Sequence, residues 1–332
     1  MKNKDLAVVC CYFNHGNYKT KLDNFINYYS HVSSYIDKVL TIELVSDDSI
    51  YTLPKEVNSI KYHSNAKLWH KENLLNLGIN QLIEEGYEYI AWLDADIIFQ
   101  DSFWVEEALY QLQNYNLCQL FSRSIKQHID GHETFHPGCA RYWQDSGNIL
   151  PINRFYHTGY AWASTASCLK QCQLYDKSII GGADSLIWLA SLSNNKSLFE
   201  LMTQHPLGKL ELNSYLMDYF DWAEKWSSVI QSKVSCLYSQ IKSLAHGQTK
   251  NKKYISRYQI LKDEEYNPKL DIYYENKLIN IKNKNLEKLI KNYFNEINED
   301  ETHWLGRLNK FIDKSLKKQE IKARQKNFEK GF

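Results

Sequence analysis

Leu6 to Phe13 is an unbroken apolar run closed by the polar turn Asn14-His15-Gly16-Asn17, and it predicts a first buried strand. Phe25 to Ile36 reads as a helix, Lys38 to Leu44 as a second strand that includes the acid Glu43, and Ile60 to Tyr62 as a short third strand. Leu68 to Glu85 predicts a helix with Leu75, Ile79, Leu82 and Ile83 on one face and Gly86 as its stop. Two apolar blocks then flank Asp94-Ala95-Asp96, from Ile90 to Phe99, and each reads as a short buried strand. Strands alternating with helices in this way predict a mostly parallel α/β sheet flanked by helices. The chain from Ser102 to Leu244 is less regular, and Gln127 to Phe155 reads as a long loop region. Near the end, Leu286, Leu289, Ile290, Tyr293 and Ile297 mark an amphipathic helix, and a lysine-rich helical stretch runs on to Phe332. No internal repeat is visible.

A length of 332 residues suits one large α/β domain with an appendage, expected here as a main domain over 1–262 and a basic helical C-terminal extension over 263–332. From Lys277 to the end there are fourteen Lys or Arg against eight Asp or Glu, so the preceding part is negative by about five, which argues against nucleic acid as a partner of the main body. The basic helices could instead meet an anionic membrane surface or a partner enzyme of the same pathway, or pack on the main domain as a solvated hairpin. Seven cysteines without a CxxC pair suit reduced thiols. The opening apolar run is too short for a signal-peptide core, and no stretch approaches a membrane span. The expected location is therefore cytoplasmic, with peripheral contact at the inner face of the membrane as an option.

Asp94 and Asp96 follow a buried strand, so both carboxylates should reach the rim of the sheet, where ligands gather in such folds. Two nearby anions repel unless a cation stabilises them. Hard divalent ions such as Mn2+ or Mg2+ suit paired carboxylates and also bridge phosphate oxygens, which points to a metal-diphosphate site. Read alone, Asp-X-Asp is also common in turns. Asn14 and Glu43 fall at other strand ends of the same edge. Lys71 and Asn73, in the first turns of the helix before the aspartates, could face a nucleotide or be ordinary helical residues. Gly181-Gly182-Ala183-Asp184 lets a backbone approach a ligand and puts an acid at a helix start, where a simple N-cap is the plainer account. His246 is a sound Mn2+ ligand, and Lys250 with its basic neighbours would neutralise a diphosphate; a surface histidine beside a solvated basic run is the alternative.

From Leu6 to Arg257 these pieces together resemble a GT-A glycosyltransferase, in particular the large inverting family and the galactosyl- and N-acetylgalactosaminyltransferases. The residues that carry the resemblance are Phe13-Asn14, Glu43, Leu93-Asp94-Ala95-Asp96, Gly159-Tyr160-Ala161-Trp162, Gly181-Gly182-Ala183-Asp184 and His246-Gly247. It implies that Phe13, Asn14, Glu43 and Asn73 hold the nucleoside, with Lys71, Ala95 and Lys250 also on the nucleotide-sugar. It further implies that Asp94 reaches the ribose or a metal-bound water, that Asp96 ligates the metal, and that His246 completes its shell. Asp184 matches the general base of inverting members, although many relatives carry Glu-Asp or Gly-Asp where Ala183 precedes the acid here. Tyr160 and Trp162, with Gly181 and Gly182, would meet the acceptor, the aromatics being equally suited to the core.

The expected activity is metal-dependent transfer of a hexose or N-acetylhexosamine from a UDP-sugar to a saccharide acceptor of a surface glycan, with inversion. A catalytically inactive sugar-binding protein on the same fold would have lost the paired aspartates, which are present. A sugar nucleotidyltransferase would show a glycine- and basic-rich phosphate loop after the first strand, which Asn14-His15-Gly16-Asn17 lacks.

Overall fold

The computed structural model describes residues 5–149, 155–192, 195–247, 257–297 and 300. In chain order its strands are β1 (Leu6–Phe13), β2 (Val39–Val45), β3 (Ser59–His63), β4 (Tyr89–Leu93), β5 (Ile97–Phe99), β6 (Leu117–Gln119) and β7 (Arg123–Gln127). They continue with β8 (Glu133–Pro137), β9 (Ala161–Thr165), β10 (Val234–Cys236), β11 (Gln240–Ser243), β12 (Ile272–Glu275) and β13 (Leu278–Ile281). Seven of them form the main sheet in the order β10-β6-β9-β4-β1-β2-β3. The pairs β1–β2, β2–β3, β1–β4 and β6–β10 are parallel, and only β9 runs against its neighbours.

The apolar run of β1 is continuous because both of its faces are covered. Leu6, Val8, Cys10 and Tyr12 enter one apolar cluster with Phe25, Tyr28 and Val32 of the helix Lys19–Val32. Ala7, Val9 and Phe13 enter the other, against Leu74, Leu75, Ile79 and Leu82 of the helix Lys71–Glu84. Strand order reverses between β1 and β4, so a crevice opens beyond their carboxyl ends, where Asn14 follows β1 and Asp94 follows β4.

Beyond Asp96 the chain leaves this sheet. β5 joins a four-stranded sheet in the order β5-β11-β7-β8. One of its strands falls where a long loop was expected: β8, followed by the helix Cys139–Ser146, occupies part of 127–155, short elements whose turn formers mask their periodicity. The C-terminal part packs on the main body. Tyr266, Ile272, Leu278, Ile279, Leu286, Ile290, Tyr293 and Phe294 all belong to the same apolar cluster as β1 and the helix Lys71–Glu84. The amphipathic helix, observed as Lys284–Glu296, therefore spends its apolar face on the body of the protein rather than on a membrane or a partner. The lysine-rich stretch expected beyond it lies outside the described residues. All seven cysteines are free thiols, and among the described residues no helix is long and apolar enough to cross a membrane.

Candidate active site

β-Pairing explains how an imidazole some 150 positions downstream reaches the aspartates. β5 and β11 pair antiparallel with Ile97 opposite Ser243, so the residues just outside the ladder, Asp96 and Leu244, also meet. The Leu244 N–H donates to the Asp96 carbonyl at 2.8 Å, and the Asn24 amide holds the Ala245 carbonyl at 3.1 Å. His246 then stands with Nδ1 3.0 Å from Asp96 Oδ2 and 3.1 Å from the Leu244 carbonyl. A carbonyl can only accept, so Nδ1 donates in this geometry, and it is the Nδ1 edge of the ring that faces Asp96. Among the described residues no third His, Cys, Asp or Glu converges on this pair.

Asp94 turns the other way. Its backbone N–H donates to the Tyr160 carbonyl at 2.7 Å, and its Oδ1 accepts from Lys71 Nζ at 2.7 Å. The same ammonium lies 3.0 and 3.2 Å from the two oxygens of Asp184. Lys71 is the first residue of its helix and its side chain is only 9% exposed, against 25% for Asp94 and 29% for Asp184. Burial works against the Lys71 charge, but Asp184 and Asp94 more than offset it and hold its pKa well above the ordinary lysine value. For Asp184 burial dominates, so its pKa is raised although Lys71 opposes the shift. Glu72, buried beside Lys71 with Oε1 lacking a hydrogen-bond partner, is pushed up to about 8 by burial. Burial thus favours the neutral form of Glu72 beside the Lys71 ammonium.

Asp184 lies in the first turn of the helix Ala183–Leu192, where the helix dipole favours a carboxylate. The approach to that turn demands glycine. Gly181 and Gly182 have φ of +87° and +100°, and a Cβ on Gly182 would stand 2.0 Å from the buried Tyr258 hydroxyl. Gly182→Ala is expected to cost about 3 kcal/mol from backbone strain and overpacking together, read as a lowered urea midpoint with unchanged slope. Opposite, a Cβ on Gly159 would lie 3.0 Å from Asp184 Oδ2. The next residue, Tyr160, has φ +75°, a strained value for a bulky side chain, and its ring stacks on His157 at 3.7 Å.

Several residues expected to touch ligands make hydrogen bonds within the framework. The Asn14 amide closes the turn after β1, accepting from the Tyr18 N–H and donating to the Tyr18 carbonyl, each at 2.9 Å. Glu43 is fully buried, accepts the Leu53 N–H at 2.7 Å and pairs with Lys61 at 3.0 Å. Asn73 pins the β12–β13 hairpin through the Ile279 N–H and the Lys277 carbonyl. Trp162 is 4% exposed, and its indole donates to the Thr158 carbonyl. Tyr160 is also buried. Ala95 packs against the apolar cluster beneath the turn. Phe13 lies at the crevice with its ring edge-on to Trp69 and Lys21 over its face at 4.8 Å. Lys250 lies outside the described residues. Arg257, from the basic run, reaches the glycine pair: its guanidinium nitrogens would be 3.1 and 3.0 Å from added Cβ atoms at Gly181 and Gly182. Sequence reasoning passed over Glu72, since nothing in the pattern marks one acid of a helix's first turn as buried.

No protein-family model matches the sequence, and no curated protein matches it. Among solved structures the chain is similar to glucosyl-3-phosphoglycerate synthase from Mycobacterium tuberculosis in complex with Mn2+, UDP and phosphoglyceric acid, at 10% identity over 80% of each chain with a TM-score of 0.39. The same enzyme with Mg2+ and UDP matches at 10% identity over 77% of each chain, TM-score 0.38. The catalytic domain of Drosophila β1,4-galactosyltransferase 7 in complex with xylobiose matches at 12% identity over 55% of this chain and 59% of that one, TM-score 0.33. These similar structures are GT-A glycosyltransferases; the α/β architecture of the present chain rests on its own strand order and not on these likenesses.

Proposed function

We propose that the protein is a metal-dependent glycosyltransferase that moves a hexose or N-acetylhexosamine from a UDP-sugar to a saccharide acceptor with inversion. The observation that carries the reading is the 3.0 Å approach of His246 to Asp96 at the crevice edge, beside an acid, Asp184, held separately by Lys71. Asp96 would offer carboxylate oxygen and His246 its Nδ1 once that nitrogen gives up its proton, a hard-to-borderline donor set that suits Mn2+ or Mg2+. Two protein donors are few, which suits a cation that takes its remaining ligands from a diphosphate and water. When bound, such an ion offsets the charge that develops on the departing diphosphate.

The chain's own residues supply the rest. Asp184 takes the proton from the acceptor hydroxyl as that oxygen forms its bond to the anomeric carbon. The bond from that carbon to the UDP oxygen breaks, and UDP leaves with the electron pair. The Asp96–His246 pair stays on the diphosphate side, while the glycine pair Gly181-Gly182 lets Tyr258 and Arg257 pack close behind the base. Nucleotide release should be measured with each common activated sugar, with Mn2+ and after chelation. Release from a UDP-sugar, stimulated by a saccharide acceptor and abolished by chelator, is the expected result. No release from any activated sugar in the presence of Mn2+ would overturn the reading.

A further inference from the structure

We infer that Lys71 is a positioning residue for the base Asp184, joining it to Asp94 across the crevice. The inference rests on the transferase reading for Asp184 but makes a separate claim about what Lys71 does. An ammonium has three N–H donors. Here one is directed at Asp94 Oδ1 at 2.7 Å and a second is shared by the two oxygens of Asp184 at 3.0 and 3.2 Å, so both close partners of the ammonium are acids.

The placement is costly unless it does something. A lysine at the first position of a helix faces the positive end of the dipole, and this one is almost wholly removed from water. Its two carboxylates come from distant segments, one after β4 and one at the start of the helix Ala183–Leu192. The segment before Lys71 is itself tied to the segment before the glycine pair, where the Trp69 N–H donates to the Ile179 carbonyl at 2.9 Å. The result is a carboxylate that meets an ammonium and lies 3.0 Å from where a Cβ on Gly159 would stand, so only a glycine there leaves it room. The ammonium restrains the orientation of the base, and a misplacement of ~1 Å in such a group can cost ~10²-fold in rate.

The test is steady-state kinetics of Lys71→Met and Lys71→Arg, with UDP affinity measured by calorimetry in Mn2+. Positioning predicts that Lys71→Met lowers kcat by ~10²-fold with donor KM and UDP affinity near wild type. Lys71→Arg, which keeps the charge but presents a planar fork instead of a point donor, should fall between the two. It carries the test if the methionine variant does not fold. A raised donor KM and weakened UDP binding with kcat retained would make Lys71 a donor ligand and overturn the inference. An unchanged kcat and KM would do the same. A crystal structure of the methionine variant gives an arm that needs no activity: the Asp184 carboxylate should leave its place beside Gly159, and its staying there refutes positioning. Failure of the wild-type protein to transfer any sugar refutes the function instead, and leaves this structural arm to decide about Lys71.

Discussion

Replacing Asp184 with asparagine is expected to lower sugar transfer by ~10²–10⁴-fold, the usual worth of a positioned general base, while Mn2+-dependent UDP binding stays close to that of the native chain. The substitution is nearly isosteric, so the helix start and the glycine pair before it are undisturbed, and the amide oxygen still accepts from Lys71. What is lost is the ability to hold a proton. Kinetics at saturating donor together with a UDP titration separate the two properties. An asparagine variant with native kcat would remove Asp184 from the chemistry. The pH profile adds a second readout. Burial raises the Asp184 pKa above that of an ordinary aspartate, with Lys71 pulling the other way. A protonated carboxyl cannot accept the acceptor's proton, so the native rate should fall as pH drops through that raised pKa. The fall begins at a higher pH than a solvated aspartate would give, and the same limb should vanish from the residual rate of the asparagine variant.

The contrast between Asp184 and Asn73 shows what the linear pattern could and could not carry. β1 was readable to its ends because a strand buried on both faces is a continuous apolar run, and the helix over Lys71–Glu84 was readable from the spacing of Leu75, Ile79 and Leu82. The two acids at the carboxyl end of β4 announced themselves because charge interrupts apolar sequence there. Asn73, Asn14 and Glu43 sit at equally suggestive places, yet their polar atoms are taken by backbone groups of a hairpin, a turn and a loop. A buried backbone N–H must find an acceptor, and a strand-end polar residue that meets this need looks the same in sequence as one that meets a ligand. Long-range pairing decides between them. The β5–β11 register that delivers His246 to Asp96, and the crossing of Lys71 between Asp94 and Asp184, depend on contacts between residues about 150 and 110 positions apart. No window of the sequence holds both partners. The C-terminal hairpin failed to declare itself for a related reason: its apolar residues are few in each strand, and only their joint burial in the main core makes them an element.

Asp96→Ala is expected to abolish the dependence of UDP binding on Mn2+, weakening UDP in the presence of the metal by ~10²-fold or more. Losing a direct ligand should cost no less than the 10–100-fold typical of a residue that only orients one. His246→Ala should weaken it by a smaller factor, since the carboxylate carries the charge and the imidazole a lone pair. The double variant should lose less than the product of the two single losses, because both side chains act on one ion. The measurement is calorimetric titration of UDP at fixed Mn2+ and after chelation, with circular dichroism to show that each variant is folded. The reciprocal titration is equally informative. Two protein donors give a bare cation little hold, so Mn2+ alone should bind weakly, and UDP should raise its affinity by the same factor by which Mn2+ raises that of UDP. Tight Mn2+ binding without nucleotide, undiminished in Asp96→Ala, would place the ion elsewhere. The approach of His246, just past β11, to Asp96 would then be only the ring's hydrogen bond to a carboxylate at the start of β5, and the crevice would need another account of how a diphosphate's charge is met.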